Sequence, residues 1–170
     1  MKKDIGRLDD RYLNSQESMV MDRWKEVVTR GNTEYSLKYF GNAILLYNQA
    51  LDIARHEFQN TAEHSYDLAI SKVMIAHMSL ADSYLAIGNI ERAGDFYSGA
   101  QEFLLDHLEG ESSAKHEKIR ALNHANSHLN SLWLDYVKKH RDNISYARLV
   151  DFHKKSIVLG NLEMMHCTFH

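Results

Sequence analysis

Ala93-Gly94-Asp95-Phe96-Tyr97-Ser98-Gly99-Ala100 decides the fold, because the same pattern stands 50 residues earlier as Ala43, Tyr47 and Ala50. Small residues at i and i+7 with an aromatic at i+4 place two notches and one wedge on a single helical stripe. One helix needs such a stripe to nest closely against another. Its recurrence at a fixed offset points to stacked helical hairpins, an architecture that mostly serves to bind other proteins.

The surrounding sequence supports long helices. Proline is absent, whereas average usage of about 5% gives roughly eight in this length. No helix is therefore forcibly kinked. Periodicity and stop signals predict six helices. The first spans about 10–38, with Met19, Trp24, Val27, Val28 and Gly31 facing inward, and the second about 40–59. Asn60 with Glu63 reads as a capping box opening the third, to about 87. Gly88 and Asn89 read as a C′ glycine and an N-cap, followed by a fourth helix to about 107. The fifth spans about 114–140. Asp142 and Asn143 are expected to cap a shorter sixth that ends near Val158, after which Gly160 releases a tail. Nothing alternates with period two over a useful length, so the expected class is all-α. The expected organisation is one helical domain over 1–160 and a tail over 161–170.

Composition narrows the function classes. The chain of 170 residues is 44% hydrophobic and 25% charged, with a formal net charge of −3. Neither end carries a basic block suited to nucleic acid or an anionic membrane. No apolar run approaches the roughly 20 residues that cross a bilayer. Met1-Lys2-Lys3-Asp4-Ile5 leads into charged sequence rather than a signal-peptide core. A single cysteine, Cys167, cannot form an internal disulfide and fits a reducing, cytoplasmic setting.

Around the second copy the chain resembles the tetratricopeptide repeat (TPR) family. Ala81, Tyr84, Gly88, Ile90, Ala93, Tyr97 and Ala100 fall on that family's small-residue, tyrosine, turn-glycine and Ala/Tyr/Ala positions. Gly31, Leu37, Phe40, Ala43, Tyr47 and Ala50 repeat the series, with Glu34 in place of the tyrosine and Lys38 in place of the turn glycine. A third pair follows only by offset, at Asn143, Ala147 and Val150. A generic bundle with coincidental Ala/Tyr spacing is the competing reading. The standard period is 34 residues, so each repeat here has about 16 extra, or about four helical turns. The first, third and fifth helices are accordingly expected to reach about 25 residues or more. Small bacterial TPR-like proteins without an assigned role share this size and pattern. TPR-bearing secretion chaperones are similarly short and acidic but keep ordinary spacing.

The resemblance implies a concave groove lined by the first helix of each pair. Its expected positions are Lys25, Val28, Asn32 and Tyr35, then Ile75, Met78, Asp82 and Leu85, then His128, Leu132, Asp135 and Tyr136. Lys25 and Asn32 are the only residues suited to clamping a partner's carboxylate, and Asp82 and Asp135 would repel one. Such a mixed lining suits an amphipathic helix or extended peptide with hydrophobic anchors and some basic residues. The bland alternative is that these residues pack against the chain's own terminal helices. Self-association through an exposed final hairpin, with Leu149, Phe152 and Ile157, is a variant.

Two further features point elsewhere. His124 and His128 stand one turn apart, a spacing that presents two imidazoles to one metal ion. The tail adds Met164, Met165, His166, Cys167 and His170, soft donors for copper or zinc. A small metal-binding or redox-responsive protein is thus the alternative to the adaptor. No phosphate loop, nucleophile elbow or His-Glu-x-x-His motif is present, and the expectation is a non-enzyme without a cofactor.

Overall fold

The computed structural model describes residues 23–60, 66–108 and 115–167, leaving aside the side chains of 115–116 and 161–167. These residues form helices only: α1 (23–36), α2 (Phe40–Gln59), α3 (Tyr66–Ala86), α4 (Ile90–Asp106), α5 (Lys115–His140), a 3-10 turn (Arg141–Asn143) and α6 (Tyr146–Cys167). The chain is all-α, as its periodicity predicts.

The α3–α4 turn is built by Gly88 at φ +78°. Asn89 N–H donates to the Tyr84 carbonyl (2.8 Å) and Gly88 N–H to that of Leu85 (3.0 Å), a Schellman arrangement. The Asn89 side chain then accepts from Arg92 N–H at 3.0 Å and caps α4. The α1–α2 turn repeats this geometry 50 residues earlier. Tyr39 N–H donates to Glu34 and Lys38 N–H to Tyr35, both at 2.9 Å. Lys38 replaces the glycine yet adopts φ +63°, a left-handed conformation that costs a side-chain-bearing residue roughly 1 kcal/mol. Glu34 replaces the tyrosine and accepts from Asn42 Nδ2 at 2.8 Å, tying the two helices together.

The notches and wedges are contact surfaces. Ala43, Ala50, Ala81, Ala93 and Ala100 are fully buried, and Tyr47 and Tyr97 nearly so. The Tyr47 ring lies over Gly31, where an added Cβ would stand 2.7 Å from Cε1. Its hydroxyl donates to Asn32 Oδ1 at 2.7 Å. The ring therefore cannot retreat. Gly31→Ala is expected to destabilise the fold by about 1–2 kcal/mol: overpacking costs roughly 1–3 kcal/mol and the gain in helix propensity offsets up to about 1. Thermal melts should show a Tm lower by roughly 5 °C. Gly41→Ala, with no atom within 4 Å of the new methyl, should not lower it.

The core runs between layers. α3 packs against α2, α4 and α5, and α4 against α5 and α6. Phe58 meets Phe103 at 5.0 Å, and Trp133 stacks on Phe152 at 4.1 Å and 11°.

Sequence expectations need correction at the joints and in the third pair. Asn60 ends α2, its Nδ2 donating back to the His56 carbonyl at 2.8 Å; Glu63 lies outside the described residues, as does the first helix before 23. The described part of α3 has 21 residues, whereas α5 has 26. At the position where a third turn was expected, α5 continues to His140. Asn143 and Ala147 are exposed and Val150 only half-buried. Asp142 and Asn143 sit in the 3-10 turn, and Ser145 Oγ accepts from Arg148 N–H (3.3 Å) at the start of α6. Nor does α6 end near Val158. It runs 22 residues through Gly160 to Cys167, across the expected domain–tail boundary.

Buried Phe152 and Leu159 together with polar contacts, not the Ala/Tyr/Ala series, dock α6. Arg148 reaches over Gly94, donating to the Glu91 carbonyl (2.8 Å) and to Asp95 (2.5 Å). A Cβ on Gly94 would stand 2.1 Å from Arg148 Nη1 and 2.8 Å from the Tyr136 hydroxyl. Buried Gln101 donates to the Phe152 carbonyl (2.9 Å) and to Ser156 Oγ (2.8 Å), which in turn donates to Asn130 Oδ1 at 2.8 Å. Phe152 is accordingly a core residue, not part of a free surface, while Ile157 stays exposed.

Candidate functional site

A groove of about 470 Å³ opens between α3 and α5. Helical spacing builds both walls. Asp67, Ser71, Met74, Ile75, Met78 and Asp82 advance along α3 in steps of one to four residues, and Ala121, Ala125, His128 and Leu132 along α5 in steps of three or four. Ile70 and Met74 are buried, Met78 and Leu132 half-buried, and Ile75 stays 45% exposed. Ala121 and Ala125 are small, so the α5 wall is notched opposite the bulky α3 wall. From Asp67 to Asp82 the trough extends about 22 Å along α3.

Of the expected groove residues, the structure brings together Ile75, Met78, Asp82, His128 and Leu132. Val28 is a core residue on α1. Tyr136 is buried too, its hydroxyl donating to the Ile90 carbonyl at 2.8 Å, so it packs α5 on α4 and lines no groove. Leu85 packs against the core, and Asp135 is exposed beyond the groove lining. Lys25, Asn32 and Tyr35 lie on α1, outside the lining; Asn32 is bonded to Tyr47, and the Tyr35 ring meets Phe40 edge-on at 5.2 Å. The carboxylate clamp is not assembled. Asp67, Ile70, Ser71, Met74, Ser79, Ala121, His124 and Ala125 complete the lining and were missed. All but Ser79 continue the Ile75/Met78 and His128/Leu132 stripes toward the helix starts, and that periodicity was the available signal.

Electrostatics concentrate at the C-terminal end of α3. Asp82 remains open to water but recessed, and partial desolvation raises its carboxyl above the usual range while Lys139 counteracts. Burial pushes the Tyr97 hydroxyl up to about 12, with Asp82, Tyr136 and Asp135 adding to the effect. Tyr47 is raised likewise, by burial first, then by Tyr35 and Asp82. Tyr97 thus stays a neutral phenol. At the opposite end Asp67 faces Arg120 at 4.0 Å, both well exposed.

The histidine pair lies on the same α5 wall. His124 and His128 are exposed one turn apart. Among the described residues no three His, Cys, Asp or Glu side chains come together as metal ligands. The side chains of His166 and Cys167, and the whole of His170, lie outside the described residues. Among the described residues no helix is long and apolar enough to cross a membrane.

Fold and groove together define an all-helical hairpin protein with one apolar-floored trough between two long helices. Residues 22–164 match the family described as protein of unknown function DUF2753, and the chain belongs to that family. No curated protein and no solved structure matches it.

Proposed function

We propose that the protein is a non-catalytic cytoplasmic adaptor, a TPR-like array of long hairpins that binds a protein or peptide segment in the α3/α5 groove. The observation that carries this reading is the apolar trough itself. Ile75 is left 45% exposed beside half-buried Met78 and Leu132, and unlike the other exposed apolar side chains it lies inside this continuous groove. Methionine is a flexible, polarisable side chain suited to apolar partner surfaces of varied shape. A helix or strand with hydrophobic anchors fits a trough of this length. The repeated turn at a 50-residue offset and the buried alanine notches support the array reading. No cofactor, nucleic acid or membrane is needed.

The test is affinity capture with purified protein as bait, comparing wild type with Met78→Asp and Tyr35→Ala. Tyr35→Ala, on α1, should keep every partner. Met78→Asp should lose at least tenfold in recovery while its far-ultraviolet circular dichroism stays helical. Equal recovery by a folded Met78→Asp protein would overturn the groove assignment.

A further inference from the structure

We propose that the α3/α5 groove selects an amphipathic helix carrying a lysine or arginine about one turn beyond its hydrophobic anchors, with Asp82 as the group that receives that cation. The inference rests on the groove being a binding site and names what enters it.

Charge complementarity carries the argument. Asp82 stands one turn past Met78 and two past Ile75 on the same α3 stripe, so a helix seated on those residues passes over its carboxylate. Among the described residues Asp82 makes no hydrogen bond, and no cation lies within ion-pair distance of it; Lys139 acts on it only from farther away. Asp67, at the other end, already has Arg120 opposite. The last turn of α3 holds no basic residue, so the partial negative charge of its carbonyl end is uncompensated by its own side chains. The last turn of α5, at the same end of the trough, carries Lys138, Lys139 and His140, but among the described residues none of them stands within ion-pair distance of Asp82. Asp135 adds a second carboxylate near the Tyr97 hydroxyl. The Asp82 carboxylate, unpaired among the described residues, is therefore the group on this stripe that favours a cation. Partial desolvation of Asp82 agrees with this, because a partner's ammonium or guanidinium would restore the lost stabilisation of the charged form.

The probe is a displayed library of helical peptides with a fixed leucine stripe and randomised flanking positions. It is selected in parallel on the full chain as wild type, Asp82→Lys and Met78→Asp. Wild type should enrich Lys or Arg three or four residues from a leucine, and Asp82→Lys should replace that preference by Glu or Asp. A synthesised wild-type winner should bind Asp82→Lys at least tenfold more weakly in 50 mM salt. Enrichment that depends on Met78 but shows no charge preference, or an acidic one on wild type, overturns this inference and leaves the groove reading intact. Enrichment unaffected by Met78→Asp, or no enrichment at all, overturns the groove reading as well. Sedimentation of the purified protein covers the remaining occupant. A dimer lost in Met78→Asp would assign the groove to a second copy and overturn the proposal.

Discussion

Lys72→Ala should remove about 3–5 kcal/mol of stability, as much as truncating a large core side chain. Lys72 is buried on α3, its ammonium bonded to the carboxylate of Glu57 on α2, and both side chains are largely withdrawn from water. The same ammonium lies 5.6 Å from the centre of the Trp24 ring on α1. One cation therefore joins three helices. Removing it takes this ammonium away from a mostly buried carboxylate, and breaking such a pair from one side typically costs about 3–5 kcal/mol. The lost cation–π contact lies within that range rather than adding to it. Urea unfolding followed by circular dichroism gives the total. The paired substitution Lys72→Met with Glu57→Leu should return to within about 1 kcal/mol of wild type, since apolar groups of similar volume replace buried ion pairs at little cost. A Lys72→Ala loss below about 1 kcal/mol would mean that the pair behaves as a surface ion pair, and the account of how α1 is held would fail.

That cation shows where sequence reading stops. Helix faces were legible because packing imposes a period. Ala43, Tyr47, Ala50 and their partners at Ala93, Tyr97 and Ala100 are buried because close helix approach requires small residues flanking a large one. Gly88 was legible because a left-handed C′ residue is usually glycine. Lys38 occupies the equivalent conformation without any such signal. The register of α6 was not legible either. It follows from Arg148 crossing Gly94 and from Gln101 reaching Phe152 and Ser156, contacts across more than 50 residues that leave no periodic trace. The groove was half legible for a related reason. A stripe fixes which face of a helix points to its neighbour, as with Ile75 and Met78, but not how far along two long helices the trough extends. The expected window therefore slid toward the C-terminal ends, taking in Leu85, Asp135 and Tyr136 and missing Met74 and Ala121.

Acid should weaken this fold through the buried histidine of α3, in a window set by its burial. His77 on α3 is 2% exposed. Arg55 Nη2 stands 3.4 Å from its Nε2, and the backbone at Gly99 passes so close that an added Cβ would lie 3.2 Å from Cε1. Burial, and next the positive charge of Arg55, push the imidazole down to about 4, with the Phe96 backbone partly opposing. In the unfolded chain the group takes its proton near 6.5. Between those values the unfolded chain binds more protons than the folded one, so stability rises with pH across the interval. The full stability contribution is present above about 6.5 and is lost progressively as pH falls toward 4, by roughly 3 kcal/mol in total. Asp82 acts with the opposite sign, because a raised folded carboxyl pKa favours the folded state on protonation, so the comparison must isolate His77. His77→Gln keeps a polar side chain but cannot titrate. It should start less stable at pH 7.5 and lose less on acidification, so that its unfolding free energy between pH 7 and pH 4.5 changes by about 2–3 kcal/mol less than that of wild type. Parallel slopes for the two proteins would show that His77 takes up its proton over the same pH range in the folded and unfolded chains. Its packing between Arg55 and Gly99 would then not be what makes the fold acid-sensitive.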